Sequence, residues 1–84
     1  IDSLGWAYYV NKNYIEAEKF LRQAVELMPR DPTINNHYAD VLWKLNKNIQ
    51  ARYFWEYVLS LDEVEEELKD SINKKLVFGI TKKL

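Results

Sequence analysis

The chain has 84 residues, 12 of them basic and 13 acidic, so no cationic surplus is available to neutralise phosphates, which argues against a nucleic-acid partner. It has no cysteine, which excludes thiol catalysis, cysteine–metal sites and disulfides, and no apolar run approaches the roughly 20 residues that span a bilayer, which argues against membrane insertion. Apolar residues make up 48% of the chain and glycine and proline only two positions each, as expected of one small folded domain rather than a disordered tail.

Helical spacing runs through the whole chain. From about Ile1 to Val10, Leu4, Ala7 and Tyr8 fall on one stripe and predict a first helix. Asn11-Lys12-Asn13 is a polar break. From about Tyr14 to Met28, Ala17, Phe20, Leu21, Ala24 and Leu27 recur at helical intervals. Pro29-Arg30-Asp31-Pro32 ends that helix, and Asp31 and Pro32 have the chemistry of an N-cap and a first-turn residue for a third helix reaching about Leu45. A second polar break, Asn46-Lys47-Asn48, precedes a fourth helix from about Ile49 to Leu61. Asp62 is the expected cap of a fifth helix, along which Val64, Leu68, Ile72, Leu76 and Ile80 lie four apart. Glu63, Glu65, Glu66 and Glu67 crowd its start and Lys74, Lys75, Lys82 and Lys83 its end, as the helix dipole favours; Gly79 marks the end of regular helix.

Shifting the sequence by 34 residues lays the second helix over the fourth. Ala17 falls on Ala51, Ile15 on Ile49, Phe20 on Phe54, Leu21 on Trp55 and Leu27 on Leu61, while Gly5 falls on Ala39 and Tyr8 on Leu42. Two helices cross closely only where the contact residues are small, and Gly5 with Ala17, then Ala39 with Ala51, provide such a pair in each unit. A single hairpin of this kind cannot bury its apolar face, so units must stack.

On these residues the chain resembles the tetratricopeptide repeat (TPR) family. Leu4, Gly5, Tyr8, Ala17, Ala24 and Pro29 match the family pattern in order and spacing, with Leu21 where phenylalanine is usual. The second unit departs further: Ala39 and Ala51 keep the small positions, Trp55 takes the phenylalanine place, Val58 an alanine place, and Glu63 stands where the closing proline would be. The fifth helix, with Lys75-Leu76 and Gly79-Ile80, resembles the C-terminal solvating helix of bacterial arrays. The resemblance implies an all-α, TPR-like alpha-alpha superhelix: repeat one over residues 1–31, repeat two over 32–62, and a capping helix over 63–84. The start at Ile1, without an initiator methionine and inside a periodic segment, leads us to expect a piece of a longer protein. The lysine-rich, asparagine-rich composition gives a weak expectation of a bacterial source.

In that family the first helix of each unit lines a concave face that holds a protein or peptide. Carried over by position, the expected partner-binding residues are Asp2, Trp6, Tyr9 and Val10, then Asn36, Asp40, Trp43 and Lys44, then Asp70, Lys74 and Val77. The basic set with which some members clamp a chaperone's terminal carboxylate is not matched: Asp2 and Trp6 stand at two of its places, His37 sits near a third, and Glu67 and Ser71 replace later basic residues. The face is aromatic instead. Trp6 and Trp43 are read either as partner anchors or as filler between repeats, and Tyr8, Tyr14, Tyr38, Phe54 and Trp55 as core. His37 and Asp40 are three apart on one helix, but no nucleophile accompanies them, so a polar groove residue is the plainer reading. The acidic run 62–67 lacks calcium-loop spacing. The expectation is therefore a non-catalytic module with no metal or cofactor. Three alternatives stay open: a structural end-cap, self-association through the exposed repeat edge, and a regulatory segment of an enzyme encoded upstream.

Overall fold

A computed structural model describes residues 2–80. Among them are five helices and no strand: α1 (Asp2–Val10), α2 (Tyr14–Leu27), α3 (Pro32–Lys44), α4 (Asn48–Ser60) and α5 (Glu66–Phe78). Over the described residues the chain is all-α, as a helical repeat should be. Helices α1 and α2 form one hairpin and α3 and α4 a second, and each hairpin closes on its small residues. Ala17, Ala39 and Ala51 have no exposed surface. A Cβ added at Gly5 would come within 2.8 Å of Leu21 Cγ and 3.3 Å of the Leu21 backbone nitrogen, so only hydrogen fits where α1 crosses α2.

The two hairpin turns are built alike. At the end of α1, Lys12 takes a left-handed conformation (φ 65°), its amide donates to Tyr9 O at 2.9 Å, and the Asn13 amide donates to Tyr8 O at 2.8 Å. At the end of α3, Asn46 takes φ 65°, with its amide on Trp43 O at 3.0 Å and the Lys47 amide on Leu42 O at 2.9 Å. This paired 5→2 and 6→1 bonding is the Schellman motif, which satisfies carbonyls the helix end leaves free. The polar breaks at Lys12 and Asn46 thus have one physical origin, 34 residues apart.

The joint between hairpins is braced by side chains. Asp31 accepts from the Ile34 amide at 3.0 Å, and Pro32 opens α3, as the sequence predicts. Asn35, 1% exposed, donates to both Pro29 O at 3.0 Å and Asp31 O at 2.8 Å, tying the start of α3 to the chain leaving α2. The core lies between the hairpins around Leu21, Val41, Trp55, Val58 and Ile72, all with no exposed surface. Trp55 is the largest of these; burying a tryptophan removes on the order of 200 Å² from water, about 5 kcal/mol of apolar transfer. Tyr38 is buried within this core, and Tyr8 and Phe54 pack partly buried against it. Tyr14 is only partly buried and meets Tyr9 at 5.5 Å between ring centroids.

The start of the fifth helix corrects the sequence expectation. Asp62 does not cap it: α5 begins at Glu66 after Glu65, with no side-chain cap. Residues 61–65 form a non-helical joint, with Glu63 at φ 59°. Val64 lies in that joint and is 7% exposed, so it plugs the core from outside the helix. Gly79 does end α5, at φ 73°. Ile80 then packs against the core, while Leu84, Lys82 and Lys83 lie outside the described residues.

Candidate partner-binding face

Side-chain contacts fix the direction of the first helix of each unit. Trp6 meets His37, and Tyr9 feels the charge of Asp40; further along, Asp40 meets Lys75 and Trp43 meets Gly79. Numbers rise together in each pair, so α1, α3 and α5 run side by side in the same direction. They form one row, and most of the expected binding residues belong to it.

The row has two chemically different halves. Over α1 and α3 it is aromatic. Trp6 stacks on His37 with ring centroids 3.8 Å apart and on Tyr9 at 4.5 Å, both at 16° between planes. All three side chains are partly exposed. Burial raises the Tyr9 phenol far above its ordinary value, assisted by the charges of Asp40 and Tyr14, so Tyr9 keeps its proton and can act as a donor at any physiological pH. The side chain of Asp2 lies outside the described residues, and Val10 is exposed.

Between α3 and α5 the row is polar and closed. Asn36 and Asp40, expected to face a partner, are only 8% and 5% exposed, because α5 lies over them. Lys75 Nζ donates to Asp40 Oδ1 at 2.9 Å, to Asp40 Oδ2 at 3.1 Å and to Asn36 Oδ1 at 3.1 Å. Trp55 Nε1 donates to Asp40 Oδ1 at 3.1 Å, and the same ammonium stands 5.8 Å from the centroid of the Trp55 ring. Among the described residues no buried side-chain nitrogen or oxygen lacks a partner. Burial lifts the Asp40 carboxyl above its ordinary value of 3.8, while the Lys75 charge and the bonds from Lys75 and Trp55 pull the other way.

The remaining expected residues divide. Trp43 is partly buried and packs inward: its ring lies 5.5 Å from that of Trp55, and a Cβ on Gly79 would come within 2.4 Å of Trp43 Cζ2. Lys44 is partly buried. Asp70 and Lys74 are exposed and, with Glu67, Ser71 and Phe78, line an open depression of about 570 Å³ on α5. Val77 is exposed beside them. Sequence reasoning missed two side chains. Asn35 carried a detectable signal, an amide one turn inside a proline-started helix beside free carbonyls. Lys75 was assigned to the helix dipole, and its pairing across 35 residues left no local trace.

Residues 2–31, which take in α1, α2 and the joint up to the cap of α3, match the tetratricopeptide repeat family. Over its first hairpin the chain is similar to a tetratricopeptide repeat. No curated protein and no solved structure matches it. The second hairpin, outside that match, follows the plan of the first in its small contacts and its turn. A repeat of this kind points to a protein-interaction module. Among the described residues no helix is long and apolar enough to cross a membrane.

Proposed function

We propose that the chain is a non-catalytic module that binds a partner protein or peptide across the face presented by α1 and α3, with Trp6 and Tyr9 as its anchors. The observation that carries this reading is the Trp6 stack. A tryptophan held between helices by two parallel rings has lost its rotamer freedom before any partner arrives, yet it remains partly exposed. Rigid, half-open aromatics give large contact area at small entropic cost, which is why tryptophan and tyrosine dominate binding energy at interfaces. Tyr9 adds a proton donor beside the ring.

Affinity capture tests it. The immobilised chain, a Trp6→Ala variant and an Ile49→Ser control on α4, where Ile49 is 85% exposed, are compared for the proteins they retain from a lysate. Removal of a central aromatic anchor costs about 2 kcal/mol, roughly 30-fold in affinity. The expected result is a partner held by the parent chain and the control and lost by Trp6→Ala, with unchanged far-ultraviolet circular dichroism. Equal retention by all three proteins, or retention lost only in the control, defeats the proposal.

A further inference from the structure

Helix α5 is held by a narrow set of contacts. Ile72 is its one buried residue among those described, with Leu68 and Leu76 partly buried beside it, while Val77 and Phe78 are each 72% exposed. It follows a joint, residues 61–65, that is not helical and holds Glu63 in the left-handed region, a conformation that costs a side chain free energy. Its start has no side-chain cap. Two side chains tie it to the hairpins: Arg52 on α4 donates to Leu76 O at 2.7 Å from an exposed position, and Lys75 brings its ammonium group into a buried site made by Asp40, Asn36 and the Trp55 indole. With Lys75 in place every buried oxygen there is paired; without it the Asp40 carboxylate, 7% exposed, loses its ammonium partner and keeps the indole proton and the influence of nearby His37. The site is built to receive an ammonium group on a helix, and the helix it now receives is lightly attached.

We propose that α5 is a displaceable occupant of the partner face, latched by Lys75, and that the segment displacing it is an amphipathic helix of matching pattern: a branched apolar residue, a lysine three positions later, and an apolar residue next to the lysine. The proposal rests on the reading of this row as a partner face and adds the chemistry of one class of partner and the element that controls access. Opening α5 joins the polar half of the row, with Asn36 and Asp40, to the aromatic half at Tyr9 and Trp6. Charge complementarity selects the partner, because a buried carboxylate that has lost its ammonium partner disfavours a helix that brings no cation.

Two measurements on the full chain decide it, and neither needs the natural partner, so they stand or fall apart from the capture experiment. The first is residue-resolved hydrogen exchange of the unmodified chain. The amides of Ile72, Lys75 and Leu76 are expected to exchange at least tenfold faster than those of Val41 and Leu42, with the Trp55 indole proton following α5. Protection of α5 equal to that of α3 overturns the proposal, because the latch then opens only when the fold does. The second is titration of the labelled chain with a capped synthetic peptide copying residues 65–79. A tethered helix competes at an effective concentration of about millimolar, so the parent chain should respond only near millimolar peptide. Lys75→Met should lower that midpoint at least tenfold, with shifts at the Trp55 indole and the Asn36 amide. A peptide with norleucine in place of the lysine copying Lys75 should bind at least tenfold more weakly. Binding indifferent to that lysine overturns the proposal, as does an unchanged midpoint. Should Lys75→Met fail to fold, hydrogen exchange and the two peptides on the parent chain still separate the two outcomes.

Discussion

Removing one end of the Asp40–Lys75 pair has a worked outcome. In Lys75→Met the methionine replaces the stem and takes the ammonium group from the Asp40 carboxylate, which keeps the bond from the Trp55 indole. Breaking a buried ion pair from one side costs about 3–5 kcal/mol, and the Lys75 side chain keeps 19% exposure, so the lower end, about 3 kcal/mol, is expected at pH 7. Domains of this size are stable by roughly 0.05–0.15 kcal/mol per residue, so that loss is a large fraction of the total. Asp40→Asn keeps an acceptor for Trp55 and for Lys75, and about 1 kcal/mol is expected from the weaker bond to a neutral oxygen. The double variant should cost less than the sum, with a coupling of about 1–2 kcal/mol. Acidity separates this account from simple loss of packing. The folded chain holds the Asp40 proton more tightly than the unfolded chain does, so protonated Asp40 contributes stability that is full below 3.8, the ordinary value, and is lost as pH rises through the raised folded value. Losing Lys75 removes a charge and a hydrogen bond that both lowered that folded value, which carries the loss to higher pH. The gap between parent and Lys75→Met should therefore be smallest near pH 3.8 and widen towards neutrality. Urea unfolding followed by tryptophan fluorescence at a series of pH values measures it. A gap below about 0.5 kcal/mol at pH 7, the scatter expected of an ordinary surface change, or a gap independent of pH, would refute the reasoning.

Two further substitutions test the backbone argument. Lys12→Gly should raise stability by about 0.5–1 kcal/mol in thermal or urea unfolding, since the left-handed residue costs roughly 1–2 kcal/mol with a side chain and glycine gives back part of that through unfolded-state entropy. Asn35→Ala should lower stability by about 2 kcal/mol, because it strips a side-chain donor from two carbonyls at the joint between hairpins; the same assay reads it, and a change under about 0.5 kcal/mol would show the brace to be idle.

The repeating features of the fold were readable because they are local or recur. Helix spacing, the Asp31-Pro32 start and the small residues at Gly5, Ala17, Ala39 and Ala51 all follow from patterns within a unit or between units. What was not readable depends on contacts made once and at long range. Asp40 sits on a stripe that the family resemblance assigns to an open groove, and the arrival of Lys75 from α5 closes it. The packing of Trp43 against Gly79 is likewise a single contact between distant helices that no spacing within a unit announces. The acidic cluster before α5 looked like capping chemistry from Asp62 onward, yet Val64 has to reach the core first and holds the chain out of helix until Glu66.

The Asn35 brace has a mechanical consequence for the array. Its two bonds make the elbow between α2 and α3 a stiff one, since any change in angle there must stretch a buried amide off two carbonyls. One period later the corresponding side chain is Lys69, which meets Glu66 on its own helix at 3.7 Å, so among the described residues no buried amide braces the joint between α4 and α5, and these helices are tied by the exposed bond from Arg52 to Leu76 O. Thermal bending is therefore distributed unequally along the chain: the two hairpins travel as one rigid arm, and compliance gathers at a single downstream knuckle.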